Sequence, residues 1–176
     1  MWCDVDYAVD EWFGAAEFLS AMSVAYKFGQ ARVLKLEAVD PAVFDDACRN
    51  DLGGELLPIL SLFRSRVLLE VLDAQVTEYQ NPRVVSVGRH EAEGFITQLI
   101  LRDTENGGDQ YSDAEARSIA CNTVEAILTD CLGSAESYRT YEPWCDWFHA
   151  CGLDFTIIFM SRISRTCILM IGTEAD

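Results

Sequence analysis

Residues 143–151, PWCDWFHAC, set two cysteines, a histidine and an aspartate among three aromatic side chains. Pro143 suits a first helical turn and Gly152 a helix end, so the spacing predicts a two-turn helix. On that helix Cys145 and His149 stand four residues apart, where an imidazole can meet a thiol and hold its thiolate. A nucleophilic pair also needs a residue to orient the imidazole and a donor for the oxyanion. No third residue of that kind can be identified here. A zinc site needs four ligands. Cys145, His149 and Cys151 offer three, and one helix sends Cys145 and Cys151 to different faces. Trp144, Phe148 and Cys151 fall at i, i+4 and i+7, which suits a plainer role: a helix that docks its aromatic stripe on a core. That role is the expectation, with no cofactor and no metal. An enzyme using Cys145 and His149 stands as an alternative.

The segment DTENGGDQYSDAE, residues 103–115, invites a calcium reading. With Asp103 at position 1, Glu105 and Asp109 fall at positions 3 and 7 and Gly108 at the sharp turn. Position 12, which must be a bidentate Glu, is Ala114, and position 5 is Gly107. An EF-hand is therefore excluded. What remains is Asp103, Glu105, Asp109, Asp113 and Glu115 between Arg102 and Arg117. Helix capping accounts for two or three of these carboxylates, and the rest offer a patch to a basic partner. His90 with Glu91 and Glu93 could form an acid–base cluster, but the segment reads as a solvated turn between strands. H-E-x-x-H, the phosphate loop G-x-x-x-x-G-K-[ST], G-x-G-x-x-G and G-x-S-x-G are absent.

The charge is the strongest global feature. Twenty-nine acidic residues oppose thirteen basic ones, giving −16 and a pI near 4.3. Such a field repels nucleic acid and anionic membranes and attracts basic partners, so no direct nucleic-acid binding and no membrane contact is expected. The imbalance is local as well as global. Residues 1–26 hold Asp4, Asp6, Asp10, Glu11 and Glu17 with no Lys or Arg, and residues 40–55 hold Asp40, Asp45, Asp46, Asp51 and Glu55 against Arg49. Trp2, Tyr7, Trp12 and Phe44 are interleaved with these acids and could anchor an interface. Core packing is the competing role for the four, and it suits Trp12 better than Trp2. Eleven of the thirteen basic residues are Arg, which reads as the codon bias of a GC-rich, bacterial genome. The seven cysteines are odd in number, scattered, and form no C-x-x-C pair. Reduced thiols in a cytoplasm are expected. The acidic start predicts no signal peptide, and no apolar run is long enough to span a membrane.

At 176 residues with half of them apolar, the chain predicts one globular domain that needs no disulfide or metal to fold. Apolar spacing predicts a helix over 9–28 closed by Gly29, a strand over 31–39, and a helix from Asp40-Pro41 to Arg49. A helix follows with Pro58 in its first turn. Residues 66–79 fit either state, and their β-branched content favours a strand. Strands are predicted at 83–87 and 94–103, joined by a hairpin-like link at 88–93. Ser112 and Glu115 form a capping box that opens a helix over 113–132, ended by Gly133. DFTIIFM and TCILMIG predict a terminal hairpin, apolar throughout and so buried on two faces. The expected fold is α+β, a mostly antiparallel sheet of five or six strands packed against helices.

Charge and missing motifs together predict an acidic cytoplasmic binding protein that inhibits or neutralises a basic protein. The version favoured is a bacterial immunity or inhibitor protein against a toxin or enzyme acting on nucleic acid. Asp45, Asp46, Asp51, Asp103, Glu105, Asp109 and Asp113 are the predicted contacts. A homo-oligomeric adaptor joined through the apolar terminal strands, a homodimer for example, is the other non-enzymatic reading.

Overall fold

A computed structural model of the chain describes residues 2–25, 29–50, 57–76, 82–101, 111–149 and 154–174. Its centre is a six-stranded sheet of β1 (Tyr7–Glu11), β2 (Gly29–Ala38), β3 (Val85–Val87), β4 (Glu136–Thr140), β5 (Phe155–Ser161) and β6 (Thr166–Glu174). The spatial order is β1-β2-β6-β5-β4-β3, and every neighbouring pair is antiparallel. Helices cover both faces, so the α+β expectation holds.

The apolar runs of β5 and β6 explain this layering. Successive side chains point to opposite faces of a strand, and a strand apolar at every position must be covered twice. Phe155, Ile157 and Phe159 of β5, with Ile168 and Met170 of β6, join one core with α1 (Ala16–Ala25), α5 (Arg89–Leu101) and α6 (Asp113–Asp130). Ile158, Met160, Cys167, Leu169 and Ile171 join the other. That second core takes in α2 (Pro41–Arg49), α3 (Leu57–Leu62), α4 (Arg66–Leu72) and the aromatics around Trp144. Gly172 is a glycine because the ring of Phe155, its cross-strand partner, lies where a Cβ would stand.

Several local expectations hold for identifiable reasons. The Asp40 carboxylate accepts from the Ala42 and Val43 N–H groups (2.8 and 3.3 Å), capping α2 in front of Pro41. Ser112 and Glu115 close the capping box on α6. Pro58 sits in the first turn of α3.

Four expectations are corrected. Residues 7–11 form a strand, so the helix predicted from residue 9 begins only at Ala16, after a 3-10 turn at Phe13–Ala15. Tyr7 and Val9 alternate with exposed Ala8 and Asp10, a period of two that overlaps helical spacing in so short a run. Arg66–Leu72 is helix, because Leu68 and Leu72, four apart, reach the same core. Asp73 ends it in the left-handed region at φ 50°. Residues 89–101, predicted as the hairpin link and most of the strand at 94–103, are one helix, α5, and residues 102 and 103 lie outside the described residues. Ala92, Phe95, Ile96, Leu99 and Ile100 are buried at helical spacing, and Thr97 returns its hydroxyl hydrogen to the Glu93 carbonyl at 2.8 Å. The last correction concerns residues 143–149, which are not helical. Cys145 bridges to Val76, and Asp146 exchanges bonds with Gln75 through its backbone N–H (3.0 Å) and its carboxylate (2.6 Å). That backbone is used in cross-chain pairing and is unavailable for helical bonds.

Candidate partner-binding surface

Cys145 and His149 do not meet. Cys145 is fully buried and His149 is exposed, its backbone N–H donating to Thr173 Oγ1 at 3.0 Å. Burial pushes the Cys145 thiol up to about 11, against opposing backbone hydrogen bonds from Trp147 and Phe148, so the neutral thiol dominates near pH 7. Cys151 lies outside the described residues. Trp144 is stacked on Phe63 at 4.6 Å and donates from Nε1 to Thr156 Oγ1 at 3.0 Å. Phe148 is buried beside it, 5.5 Å away between ring centroids. The aromatics pack on the sheet as expected, from a turn instead of a helix. No group of three His, Cys, Asp or Glu side chains able to hold a metal ion occurs among the described residues. His90 is 93% exposed on the first turn of α5, with Nδ1 2.9 Å from Glu93 Oε2. Burial alone would raise the Glu93 pKa, but hydrogen bonds from Arg89 and His90 and their charges carry it down.

The acids chosen from sequence fall in different places. Asp45, on α2, accepts from Arg165 Nε and Nη2 at 2.8 Å each, and those bonds hold its pKa below the usual value. Asp46 lies 3.5 Å from Arg49. Asp113 pairs with Arg117 at 2.8 Å in the first turn of α6. Because α2 and α6 cover opposite faces of the sheet, Asp45 and Asp46 share no face with Asp113. Asp51, Asp103, Glu105 and Asp109 lie outside the described residues. The aromatics of the acidic segments turn inward, including the one expected to be freest. Trp2 is buried edge-on against Phe44, whereas Trp12 is only partly buried.

An open acidic corner lies where β1 meets the end of β2. Asp10 stands opposite Lys35 and Ala8 opposite Glu37. These residues alternate with Leu34 and Leu36 of the α2-side core, so they point to the face that α1, α5 and α6 cover elsewhere. Here Ala8, Asp10 and Glu37 remain exposed. Lys35 Nζ is held by Glu37 at 2.8 Å and Asp130 at 2.9 Å. Burial disfavours its charge, but these two carboxylates overcome that and raise its pKa. Asp6 and Asp10 have no cation within ion-pair distance among the described residues, so the corner keeps an excess of negative charge.

Exposed apolar side chains frame this corner. Val39 follows β2 at 64% exposure, and its N–H donates to the Asp6 carbonyl at 2.9 Å. Leu132 follows α6 at 66% exposure. The end of α6 is pinned there by the Lys35–Asp130 pair and by Ser161 Oγ donating to the Cys131 carbonyl at 3.1 Å. Phe13 is also exposed, at 80%, but it follows the other end of β1, beyond the Glu11–Leu34 pair. Asp6 and Asp10 belong to the acidic N-terminal run visible in sequence. Glu37, Asp130, Val39 and Leu132 were not singled out there, because their grouping depends on β1 being a strand whose Ala8 and Asp10 face stays exposed.

No family model, no curated protein and no solved structure matches this chain. No helix among the described residues is long and apolar enough to cross a membrane.

Proposed function

We propose that this chain is a non-enzymatic acidic binding protein of the cytoplasm that covers the cationic site of a basic protein. Its biological form is a bacterial immunity or inhibitor protein directed at a toxin or enzyme that acts on nucleic acid. The observation that carries the reading is the open corner, where Asp6 and Asp10 have no cationic partner among the described residues and exposed Val39 and Leu132 stand alongside. A cleft that holds phosphates must be cationic, and an acidic surface competes for it by charge. Long-range attraction speeds the encounter, and apolar anchors at the contact slow dissociation. Elsewhere the chain neutralises many of its own arginines, as in Arg32–Glu11, Arg66–Glu70 and Arg89–Glu125. That leaves the surplus of acid to face outward. An oligomer joined through β5 and β6 has no support in this arrangement, since both strands are interior to the sheet and covered on both faces.

The test is capture from native-host lysate, followed by binding isotherms of the purified captured protein with wild type and with Asp6→Lys/Asp10→Lys. The expected partner is basic and binds one to one. Its affinity falls steeply with salt, and the double variant weakens it by roughly a hundredfold, the effect of several close charge pairs. A partner that binds the double variant as well as wild type overturns the corner as the site. A partner that is acidic, or indifferent to salt, overturns the electrostatic account.

A further inference from the structure

Toward the opposite edge of the sheet, Arg139 differs from the paired arginines. Arg66, Arg89, Arg117 and Arg165 each pair with a carboxylate at 2.8 Å or less. Arg139 has no carboxylate partner among the described residues, although the chain carries twenty-nine acidic side chains. Its guanidinium carbon lies 5.3 Å from the centroid of Phe95 and 5.7 Å from that of Tyr141. Those two rings meet edge to face at 5.2 Å. Phe95 is buried on α5, and Tyr141 is 49% exposed just after β4. Opposite Arg139 stands Val85 of edge strand β3, itself exposed.

This arrangement has a chemical consequence. Aromatic rings attract a guanidinium through their faces and leave its in-plane N–H groups unused. Those donors form a fixed fork that matches the two oxygens of a carboxylate. Glu142, three residues on, forms no ion pair with Arg139, and its Oε2 accepts instead from the Arg83 backbone N–H at 2.7 Å. Tyr141 and Val85 offer apolar surface next to the fork.

We infer that Arg139, Phe95, Tyr141 and Val85 form a binding site for a small carboxylate that carries an aromatic or apolar body. The carboxylate takes the Arg139 fork and the body lies on Tyr141 and Val85. The site is separate from the acidic corner and does not depend on it. In a strongly anionic protein such a ligand is held by local geometry against the overall field, so its carboxylate must be matched closely.

The probes are phenylacetate, its neutral analogue phenylacetamide, and acetate, titrated while the NMR resonances of the Arg139 Nε–H and the Tyr141 ring are followed. Phenylacetate is expected to give a saturable shift at both. Acetate, lacking the ring, should bind about tenfold more weakly, and phenylacetamide should leave Arg139 unmoved. Arg139→Lys keeps the charge but removes the fork, and Tyr141→Ala removes the exposed ring while leaving Arg139. Each should weaken phenylacetate by about tenfold with an unchanged circular dichroism spectrum. No saturable shift up to about 20 mM, equal shifts from acid and amide, or full binding by Arg139→Lys would each overturn the site. A peptide with a free C-terminal carboxylate that bound more tightly than phenylacetate would overturn the assignment to a small ligand.

Discussion

Every residue of β5 from Phe155 to Ser161 is buried, whereas in β1 Ala8, Asp10 and Glu11 are exposed. Both strands belong to one sheet, and their sequences differ in the way their positions demand. β5 has neighbours on both edges and helices on both faces, so polar residues there must be satisfied internally, as Thr156 is by Trp144. β1 has a neighbour on one edge and a core on one face. Its other face carries charge, which also discourages edge-to-edge association. The first region is the buried one and the second carries the proposed recognition surface, so variants of the two should move different observables.

The largest separation is expected from Phe159→Ala. Phe159 is fully buried among α5, α6 and the sheet. Its truncation should cost about 3–5 kcal/mol through lost burial and the cavity left behind. Denaturant unfolding measures this, and the folded fraction should bind a basic partner normally. A loss below about 1 kcal/mol would mean that this layer is less tightly packed than β5 implies.

A second effect, again confined to the sealed region, appears with alkaline pH. Burial pushes Cys145 up to about 11, and Cys131 is raised to about 11 mainly by burial, with Asp130 adding to it. Both thiols ionise more readily in the unfolded chain than in the folded one. Their contribution is therefore fully present below the unfolded value of 9.0 and is lost as pH rises from there through about 11. Two units at one buried thiol correspond to about 2–3 kcal/mol. Stability measured from pH 8 upward should fall in wild type and fall less steeply in Cys145→Ala. Asp6→Asn should leave the alkaline slope as it is. An unchanged slope in Cys145→Ala would remove that thiol from the account. Alkylation at neutral pH gives the same contrast, because Cys3 and Cys121 are exposed and should react well before Cys145.

These contrasts also show what could be read from sequence. The β5–β6 hairpin was legible because a continuously apolar run fits only a strand covered on both faces. The caps at Asp40 and Ser112 were legible because a cap depends on a few adjacent residues. The helix at Arg66–Leu72 and the helix α5 were missed because β-branched content is a weak local preference that tertiary burial overrides. For the candidate site, sequence showed that residues 1–26 carry unmatched acid. It did not show which acids face outward. That depends on Lys35 being claimed by Glu37 and Asp130, the second of them ninety-five residues away. The aromatic anchors were misjudged for the same reason: Trp2 is drawn under Phe44, and Phe13 is left outside.

The smallest effect gives the sharpest test of the comparison, because it reverses sign between the two observables. Leu132 lies in the left-handed region at φ 55°, followed by Gly133 at φ 76°, where α6 closes with the Gly133 N–H on the Leu128 carbonyl at 2.7 Å. A left-handed conformation costs a residue with a Cβ about 1–2 kcal/mol, and glycine adopts it freely. Leu132→Gly relieves that strain. It gives back part of the gain through the larger entropy of an unfolded glycine, so a net stabilisation of about 0.5–1 kcal/mol is expected. Little burial is lost, since the side chain is 66% exposed. The same change removes an apolar anchor from the corner, so affinity for a basic partner should fall by roughly tenfold. Higher stability with weaker binding would mean that the backbone holds Leu132 outward at a cost in stability that recognition explains. Higher stability with unchanged binding would take Leu132 out of the surface and leave Val39 and the acids to carry it.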